Sequence, residues 1–159
     1  MDTDAVLLFS DHMARFYAKQ YGFPPVAGRV LGYLIVCEPM EQSIAQIADA
    51  LLTSRSAVTG AVKMLETAKV VVRTRPAGSR FDLVSIQTDV WQHGFDPAEY
   101  RELARLAREG LTLLEDASPE RRRPVEDMAS LGDFLAERIP TLYDEWRAHR
   151  EKELQQEES

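Results

Sequence analysis

Residues 43–69 read SIAQIADALLTSRSAVTGAVKMLETAK, and this stretch decides the fold. Ser43 is a good helix N-cap, and the apolar residues behind it recur at the spacing of one helical face. Leu52 and Thr53 interrupt that pattern, and Ser54 then offers a second N-cap before a new apolar stripe. Two short amphipathic helices joined by a turn are typical of a helix-turn-helix. We therefore predict that motif here.

The second of these helices turns a polar and cationic face away from its apolar stripe. The face contains Arg55, Ser56, Thr59, Gly60 and Lys63. Such a face suits a helix lying against base edges and phosphates in a DNA major groove, with Arg55 and Lys63 as the strongest candidates for contacts. Capping or solvation is the alternative for the serines and the threonine. Gly60 either lets the helix sit deep in the groove or has no role.

A β-hairpin is predicted directly after this helix. Residues 70–72 are β-branched, 76–79 are turn residues, and 80–86 place apolar residues at every second position. A helix-turn-helix followed by a hairpin with a basic tip is the winged-helix arrangement, in which the hairpin is the wing. Its three arginines can reach phosphates or the minor groove. The predicted DNA-binding wing comprises Arg73, Arg75, Gly78, Ser79 and Arg80.

The charge distribution supports DNA binding. The chain has a formal net charge of −7, yet residues 54–80 contain six basic residues and Glu66 as the one acid, a local net of +5 that leaves −12 for the remainder. A cationic island on an anionic protein indicates where a polyanion docks. The alternative is ordinary solvated charge. DNA binding is preferred because the helix pair, the hairpin and the charges agree.

Composition limits the remaining function classes. A length of 159 residues with 45% apolar content predicts one folded domain, with or without an added dimerisation element. The acidic N-terminus is unlike a signal peptide, and no apolar run reaches the ~20 residues of a membrane span. Cys37 is the sole cysteine, which excludes an internal disulfide and a cysteine-based zinc finger. We expect a cytoplasmic protein with no cofactor or metal.

Amphipathic helices are also predicted on both sides of the winged helix. They cover residues 4–21, about 26–37, and two segments that begin at Asp96-Pro97 and Ser118-Pro119. Residues 40–42 can add a third strand to the hairpin, and Pro140 is expected to kink or break the last helix. These helices carry more apolar surface than a winged-helix core needs, so a second copy is the simplest partner, although the C-terminal helices could instead fold back in a monomer. The predicted dimerisation residues are Phe9, Met13, Phe16, Leu131, Leu135, Ile139, Leu142 and Trp146.

The order of motifs resembles the GbsR branch of MarR-type winged-helix transcriptional regulators. The resemblance covers residues 22–86 and rests on GRVLGYL, the proline-ended loop, a recognition helix opening SRSAV, and the wing turn PAGSR. It implies a DNA-binding homodimer that represses transcription and responds to a small molecule. By position, Ser54 joins the recognition-helix contacts, and Gly78 and Arg80 lie in the wing. Lys69 stands where such proteins commonly have a glycine.

These observations predict a mainly α fold with a small β-hairpin: a winged helix-turn-helix with N- and C-terminal dimerisation helices. The predicted regions are 1–21 (dimerisation), 22–88 (DNA binding), 89–150 (dimerisation) and 151–159 (disordered tail). Aromatic residues could line an effector pocket, for which an aromatic cage for a quaternary ammonium is one interpretation and ordinary core packing the other. These are Tyr17, Tyr21, Tyr33, Trp91 and Phe95.

Two other function classes compete with the DNA-binding regulator. A winged helix that binds another protein is the first alternative, and it predicts no salt-dependent affinity for DNA. An enzyme is the second. The sequence shows no paired catalytic carboxylates, nucleophile elbow, phosphate loop or metal cluster, so we predict that the chain is not an enzyme.

Overall fold

The computed structural model describes residues 3–87 and 94–157, which form two compact units divided between Val90 and Trp91. The mainly helical fold with a small hairpin is confirmed. The first unit contains, in chain order, α1 (Thr3–Tyr21), α2 (Pro25–Val36), β1 (Gln42–Ser43), α3 (Ile44–Ala50), α4 (Arg55–Thr67), β2 (Val71–Thr74) and β3 (Leu83–Ile86).

Helices α1 and α2 pack closely because α2 carries two glycines one turn apart. A Cβ added at Gly28 would lie 2.6 Å from the Cα of Ala14, and one added at Gly32 would lie 2.9 Å from the Cα of Ser10. Both distances are shorter than a carbon–carbon contact allows. The glycines therefore permit the close approach of the two backbones, and an Asp11–Arg29 ion pair (2.7 Å) also joins the helices.

The helix-turn-helix forms where the two serine caps predict it. Ser43 and Gln46 make a reciprocal capping box at the start of α3, and the Ser54 Oγ accepts a hydrogen bond from the Ala57 N–H (3.1 Å) at the start of α4. The apolar stripes of α2, α3 and α4 face one core that excludes solvent. Its largest fully buried apolar side chains are Val30, Leu31, Ile47, Leu51, Val58, Val62, Leu65 and Val84.

The three strands form one antiparallel sheet in the order β1-β3-β2, so the predicted third strand is present, as Gln42–Ser43. Val71 pairs with Ile86 and Thr74 with Leu83. The strands are shorter than predicted, because residues 75–82 make local bonds in place of a ladder. Ser79 Oγ, for example, accepts from the Phe81 N–H and donates to the Phe81 carbonyl.

The second unit is a pair of antiparallel helices, α5 (Pro97–Thr112) and α6 (Pro119–Glu157). Asp96 caps α5, as predicted, by accepting from the Ala98 N–H at 2.8 Å. The residues buried here are small, so the backbones approach closely. A Cβ added at Gly132 would lie 2.8 Å from the Tyr100 carbonyl oxygen. The buried residues are Ala104, Ala107, Ala129, Gly132, Ala136 and Ile139.

The structure bears on two expectations for α6. Of the predicted kink or break at Pro140, the break is wrong, because the helix runs without interruption from Pro119 to Glu157. The disordered tail predicted over 151–159 is wrong for 151–157, since α6 continues to Glu157. The Arg150–Glu153 ion pair (3.2 Å) supports this last part of the helix, and His149 Nε2 also lies 3.3 Å from Glu153 Oε1. In neither described range is a helix both long and apolar enough to cross a membrane.

Candidate nucleic-acid interface

The exposed face of α4 presents the residues that the sequence predicts as DNA contacts. Arg55, Thr59 and Lys63 recur every four residues and therefore share one side of the helix. All three are exposed, whereas Val58, Val62 and Leu65 are buried on the core side. Ser54, Ser56 and Gly60 are exposed as well. The helix thus presents a solvent-accessible cationic face.

Two hydroxyl groups on this face are already engaged by the helix backbone. Ser54 Oγ accepts the Ala57 N–H as the N-cap, and Thr59 Oγ1 donates to the Arg55 carbonyl at 2.8 Å. The Ser54 hydroxyl keeps its proton for donation, and the Thr59 oxygen keeps acceptor capacity. Helix capping by itself therefore explains why residue 54 is a serine. The same hydroxyl group can still donate a hydrogen bond to DNA.

No packing contact among the described residues requires a glycine at position 60. A Cβ placed there would meet no heavy atom within 4 Å among the described residues. A glycine in a helix interior lowers stability by about 0.5–1 kcal/mol relative to alanine. The residue differs in this respect from Gly28 and Gly32, which packing requires.

A chain of ion pairs ties the wing to α4. The Arg73 Nε and Nη2 donate to the two carboxylate oxygens of Glu66 at 3.2 and 3.0 Å, and Arg73 Nη1 lies 3.8 Å from Asp82 Oδ2. Asp82 in turn accepts from Arg75 Nε at 2.6 Å. Glu66 follows Lys63 by three residues and so lies on the same side of α4. The hairpin is therefore attached along the edge of the exposed cationic face.

The charge state of this chain of ion pairs follows from the contacts. The hydrogen bond from Arg75, with the positive charges of Arg75 and Arg73, holds the pKa of Asp82 below its usual range. The pKa of the Arg75 guanidinium is raised for the same reason. A carboxyl group with a lowered pKa stays ionised through neutral pH and favours the folded wing until acid protonates it. The Asp82 carboxylate therefore remains available to pair with Arg75 at neutral pH.

These pairs divide the predicted wing residues into two groups. Arg73 is half-buried and bidentate to Glu66, which suits a positioning residue. Arg75 is 65% exposed, although Asp82 holds its Nε. Arg80 is exposed, and so are Gly78, at φ +79°, and the turn around it. Ser79 is half-buried and orders the backbone of Phe81 through its hydroxyl group.

The cations left without a carboxylate partner define the electrostatic surface. No described Asp or Glu oxygen lies within 4.0 Å of a basic nitrogen of Arg55, Lys63, Lys69 or Arg80. The sequence places Lys69 in the basic segment but predicts no DNA contact for it, and it does not reveal the effect of Asp82, which lies two residues beyond that segment. The missing information was the folding of the hairpin, which brings the Asp82 carboxylate within 3.8 Å of Arg73 and 2.6 Å of Arg75.

Lys69 ends α4 in a conformation that glycine adopts more easily. Its φ is +58°, its N–H bonds to the Glu66 carbonyl (3.0 Å), and the Val70 N–H bonds to the Leu65 carbonyl (3.1 Å). This pattern is a Schellman motif, in which a residue other than glycine is strained. The glycine expected from the resemblance would relieve that strain, and the lysine supplies a charge.

The aromatic residues predicted for an effector pocket do not form one group among the described residues. Tyr17 and Tyr21 pack with Phe16 and Phe23, with ring centroids 5.3–6.3 Å apart. Burial, followed by the neighbouring Tyr21, raises the pKa of Tyr17. The Tyr33 hydroxyl instead donates to Gln42 Oε1 at 3.1 Å. Ordinary packing accounts for these three tyrosines.

The remaining pocket candidates belong to another part of the chain. Phe95 lines a cavity of about 330 Å³ within the second unit, together with Ile139, Leu142, Tyr143 and Trp146. The Tyr143 hydroxyl oxygen accepts from the Phe95 N–H at 2.8 Å. Trp91 lies outside the described residues. Cys37 is buried, and burial raises the pKa of its thiol, as an inert core cysteine would show.

Comparison with known proteins identifies the family. Residues 21–80 match the model of the MarR family, and residues 89–149 match that of the MmpR5-like MarR family transcriptional regulators. The HTH-type transcriptional regulator MmpR5 of Mycobacterium tuberculosis (strain ATCC 25618 / H37Rv) is 30% identical over 133 residues, covering 82% of this chain and 79% of that protein. A crystal structure of a transcriptional regulator is 26% identical with a TM-score of 0.79, covering 91% of this chain and 99% of that one.

These matches confirm the predicted MarR-type winged helix, and they name the MmpR5-like group without pointing to the GbsR branch. They also confirm that the chain is not an enzyme, because the family consists of transcriptional regulators. With its exposed cationic recognition helix and tethered wing, the chain belongs to the MarR family of DNA-binding transcriptional regulators.

Proposed function

We propose that the chain is a cytoplasmic repressor that binds a pseudo-palindromic operator as a homodimer and is released by a small-molecule effector. The observation that carries the proposal is the exposed face of α4, to which Glu66 and Arg73 fasten the wing. A recognition helix and a wing held together can grip one duplex at two places. A winged helix that binds only protein would not need a face of unpaired cations.

The two elements would divide the work of recognition. The exposed residues of α4, with Arg55 foremost, enter the major groove and read base edges, where a bidentate arginine–guanine contact contributes ~1–3 kcal/mol of discrimination. Arg80 and Arg75 bind the neighbouring backbone or minor groove. Lys63 and Lys69 add phosphate contacts. Ser54, Ser56, Thr59, Gly60, Gly78 and Ser79 shape the contact surface.

The dimer is supported by a second apolar face on α6. Leu131, Leu135 and Leu142 share one side of the helix by their spacing, while Ala129, Gly132 and Ala136 face α5 on another. Leu131 is 55% exposed and Leu142 52% exposed. Met128 and Trp146 extend the same side. A continuous exposed stripe of large apolar residues needs a partner, and a second copy supplies an identical stripe.

Residues of α1 are the other part of the proposed dimer interface. Phe16 is 50% exposed, and Phe9 and Met13 are half-buried. Ile139 is only 5% exposed, so it would not touch the second copy directly. It would instead pack beneath the exposed apolar residues of α6 and support them. We retain residues 1–21 and 89–150 as dimerisation regions and 22–88 as the DNA-binding region. Two copies would set their recognition helices about 34 Å apart, the spacing of successive major grooves.

An effector would act by favouring one separation of the two recognition helices. A ligand shifts a conformational equilibrium only as far as its affinities for the two states differ. The cavity beside Phe95 is lined by residues of the proposed dimer region, including Leu142 and Trp146. A ligand held there could therefore change the dimer geometry.

Selection of DNA by the purified chain tests the operator proposal. A library of duplexes of about 30 base pairs, roughly three helical turns, is selected for binding and sequenced. We expect an enriched inverted repeat whose half-sites lie one helical turn apart. Enrichment of a single half-site would contradict the dimeric reader. Absence of any salt-dependent binding would favour the protein-interaction module instead.

The dimer has its own test with a matched control. Leu131→Glu places a charge in the proposed interface, whereas Leu113→Glu places one at the end of α5, where Leu113 is 84% exposed. Sedimentation equilibrium should give a dimeric mass for the native chain and Leu113→Glu, and a monomeric mass for Leu131→Glu. A monomeric native chain, or a dimer that survives Leu131→Glu, would overturn the interface.

A further inference from the structure

The wing exposes one large aromatic side chain among its charges. Phe81 is 68% exposed, and it is the one large apolar residue exposed between positions 73 and 87, all of which the structure describes. Arg80 precedes it and Asp82 follows it. No second exposed large apolar residue lies within this segment, whereas a protein-binding patch needs a contiguous apolar surface.

The backbone of Phe81 is held in place from both sides. The Ser79 Oγ accepts from the Phe81 N–H at 3.1 Å and donates to the Phe81 carbonyl at 2.8 Å. Asp82, the next residue, accepts from Arg75 and lies 3.8 Å from Arg73, which is bound to Glu66 on α4. The ring is thus carried on an ordered segment that is connected to the recognition helix by ion pairs.

We propose that Phe81 is a DNA-contacting residue that packs against sugars and base edges in the minor groove next to Arg80. The inference rests on the proposed DNA binding and adds an apolar contact to a wing predicted to act through charge. Its basis is complementarity. Phe81 directly follows the exposed Arg80 in the chain, an arginine attracts phosphates, and the groove between the phosphates has apolar walls. Apolar side chains inserted from basic elements are a known means of binding the minor groove.

The test compares Phe81→Ala with Arg80→Ala on the duplex enriched by selection. Loss of the apolar area that a phenylalanine ring buries should weaken binding roughly fivefold or more. Because phenylalanine has no charge, Phe81→Ala should leave the slope of log affinity against log salt unchanged, whereas Arg80→Ala should reduce it by about one. Leu113→Ala is the control for removing an exposed apolar side chain, and it should bind as the native chain does.

A second measurement reports the contact directly. Phe81→Trp, compared with the native chain and with Leu113→Trp, should show a change in tryptophan emission when the duplex is added, and the other two should not. Unchanged affinity of Phe81→Ala, or a reduced salt slope in that variant, would overturn the proposal. A change in its oligomeric mass would overturn it also, by assigning Phe81 to a protein interface. If the native chain binds no duplex, the proposed function fails first, which is a distinguishable result.

Discussion

Helices α2 and α4 belong to the same unit, yet they use glycine in opposite ways. In α2, Gly28 and Gly32 leave no room for a side chain, because backbone atoms of α1 lie within 3 Å of the missing Cβ. In α4, Gly60 faces open space, and Lys69 occupies a left-handed position that glycine would fill without strain. Packing explains why Gly28 and Gly32 are glycines. It explains neither the glycine at position 60 nor the lysine at position 69.

The difference indicates that the residues at positions 60 and 69 lower the stability of the fold and are kept for another property. Natural proteins depart from local structural preference mainly at functional sites. Helix α4 departs from it at Gly60 and at the residue that ends the helix, and it also presents unpaired cations. If these departures serve DNA binding, substitutions that relieve them should stabilise the chain and weaken its grip on DNA. Substitutions in α2 should not raise stability while lowering DNA affinity.

The largest effect is expected at α2. Gly28→Ala would place a Cβ 2.6 Å from the Ala14 Cα, so the helices must separate. Overpacking of this kind lowers the free energy of unfolding by about 1–3 kcal/mol. Chemical denaturation measures it. An equally stable Gly28→Ala variant would remove the basis of the comparison.

A smaller effect of opposite sign is expected at the end of α4. Lys69→Gly removes the penalty of a left-handed lysine, about 1 kcal/mol, of which the greater freedom of glycine in the unfolded chain cancels a part. The thermal midpoint should rise. Lys69→Asn is the matched control, since asparagine tolerates this conformation and also lacks the charge. Both variants should lose about one unit of salt slope in DNA binding. A lower thermal midpoint for Lys69→Gly would show that the lysine is not strained.

The smallest effect on stability, and the most informative, is expected at Gly60. Gly60→Ala should raise the free energy of unfolding by about 0.5–1 kcal/mol, because the methyl group meets nothing and alanine favours the helix. The same methyl group should lower affinity for the selected duplex if α4 lies deep in the groove. A stabilised variant with native affinity would mean that Gly60 has no role in binding.

The parts of the fold set by neighbouring residues were predictable from the sequence. The caps at Ser43 and Ser54 and the apolar stripes of α3 and α4 all follow from local spacing, and the structure confirms them. Contacts across the wing were not predictable. Arg73 was predicted as a DNA contact because the sequence does not reveal its pairing with Glu66. That pairing depends on strand register and on how the hairpin folds onto α4.

The C-terminal helix shows a second reason why sequence prediction fails. A proline and a charged tail argue locally against a helix, yet α6 passes through Pro140 and continues to Glu157. Packing of Ala136 and Ile139 on one side of the proline and ion pairs in the tail outweigh the local preference. The effector pocket stays a prediction, because Tyr17 packs on Phe23 whereas the Tyr33 hydroxyl donates to Gln42, and spacing along the sequence reveals neither contact.

The central claim is that α4 reads sequence while the wing grips the backbone, and a paired salt titration tests it most directly. Affinity is measured for Arg55→Ala and Arg80→Ala on the selected duplex and on a scrambled duplex over a range of salt concentrations. We predict that Arg55→Ala loses affinity mainly on the selected duplex, whereas Arg80→Ala weakens binding to both and lowers the salt slope by about one. Equal losses on both duplexes for the two variants would contradict this division of roles.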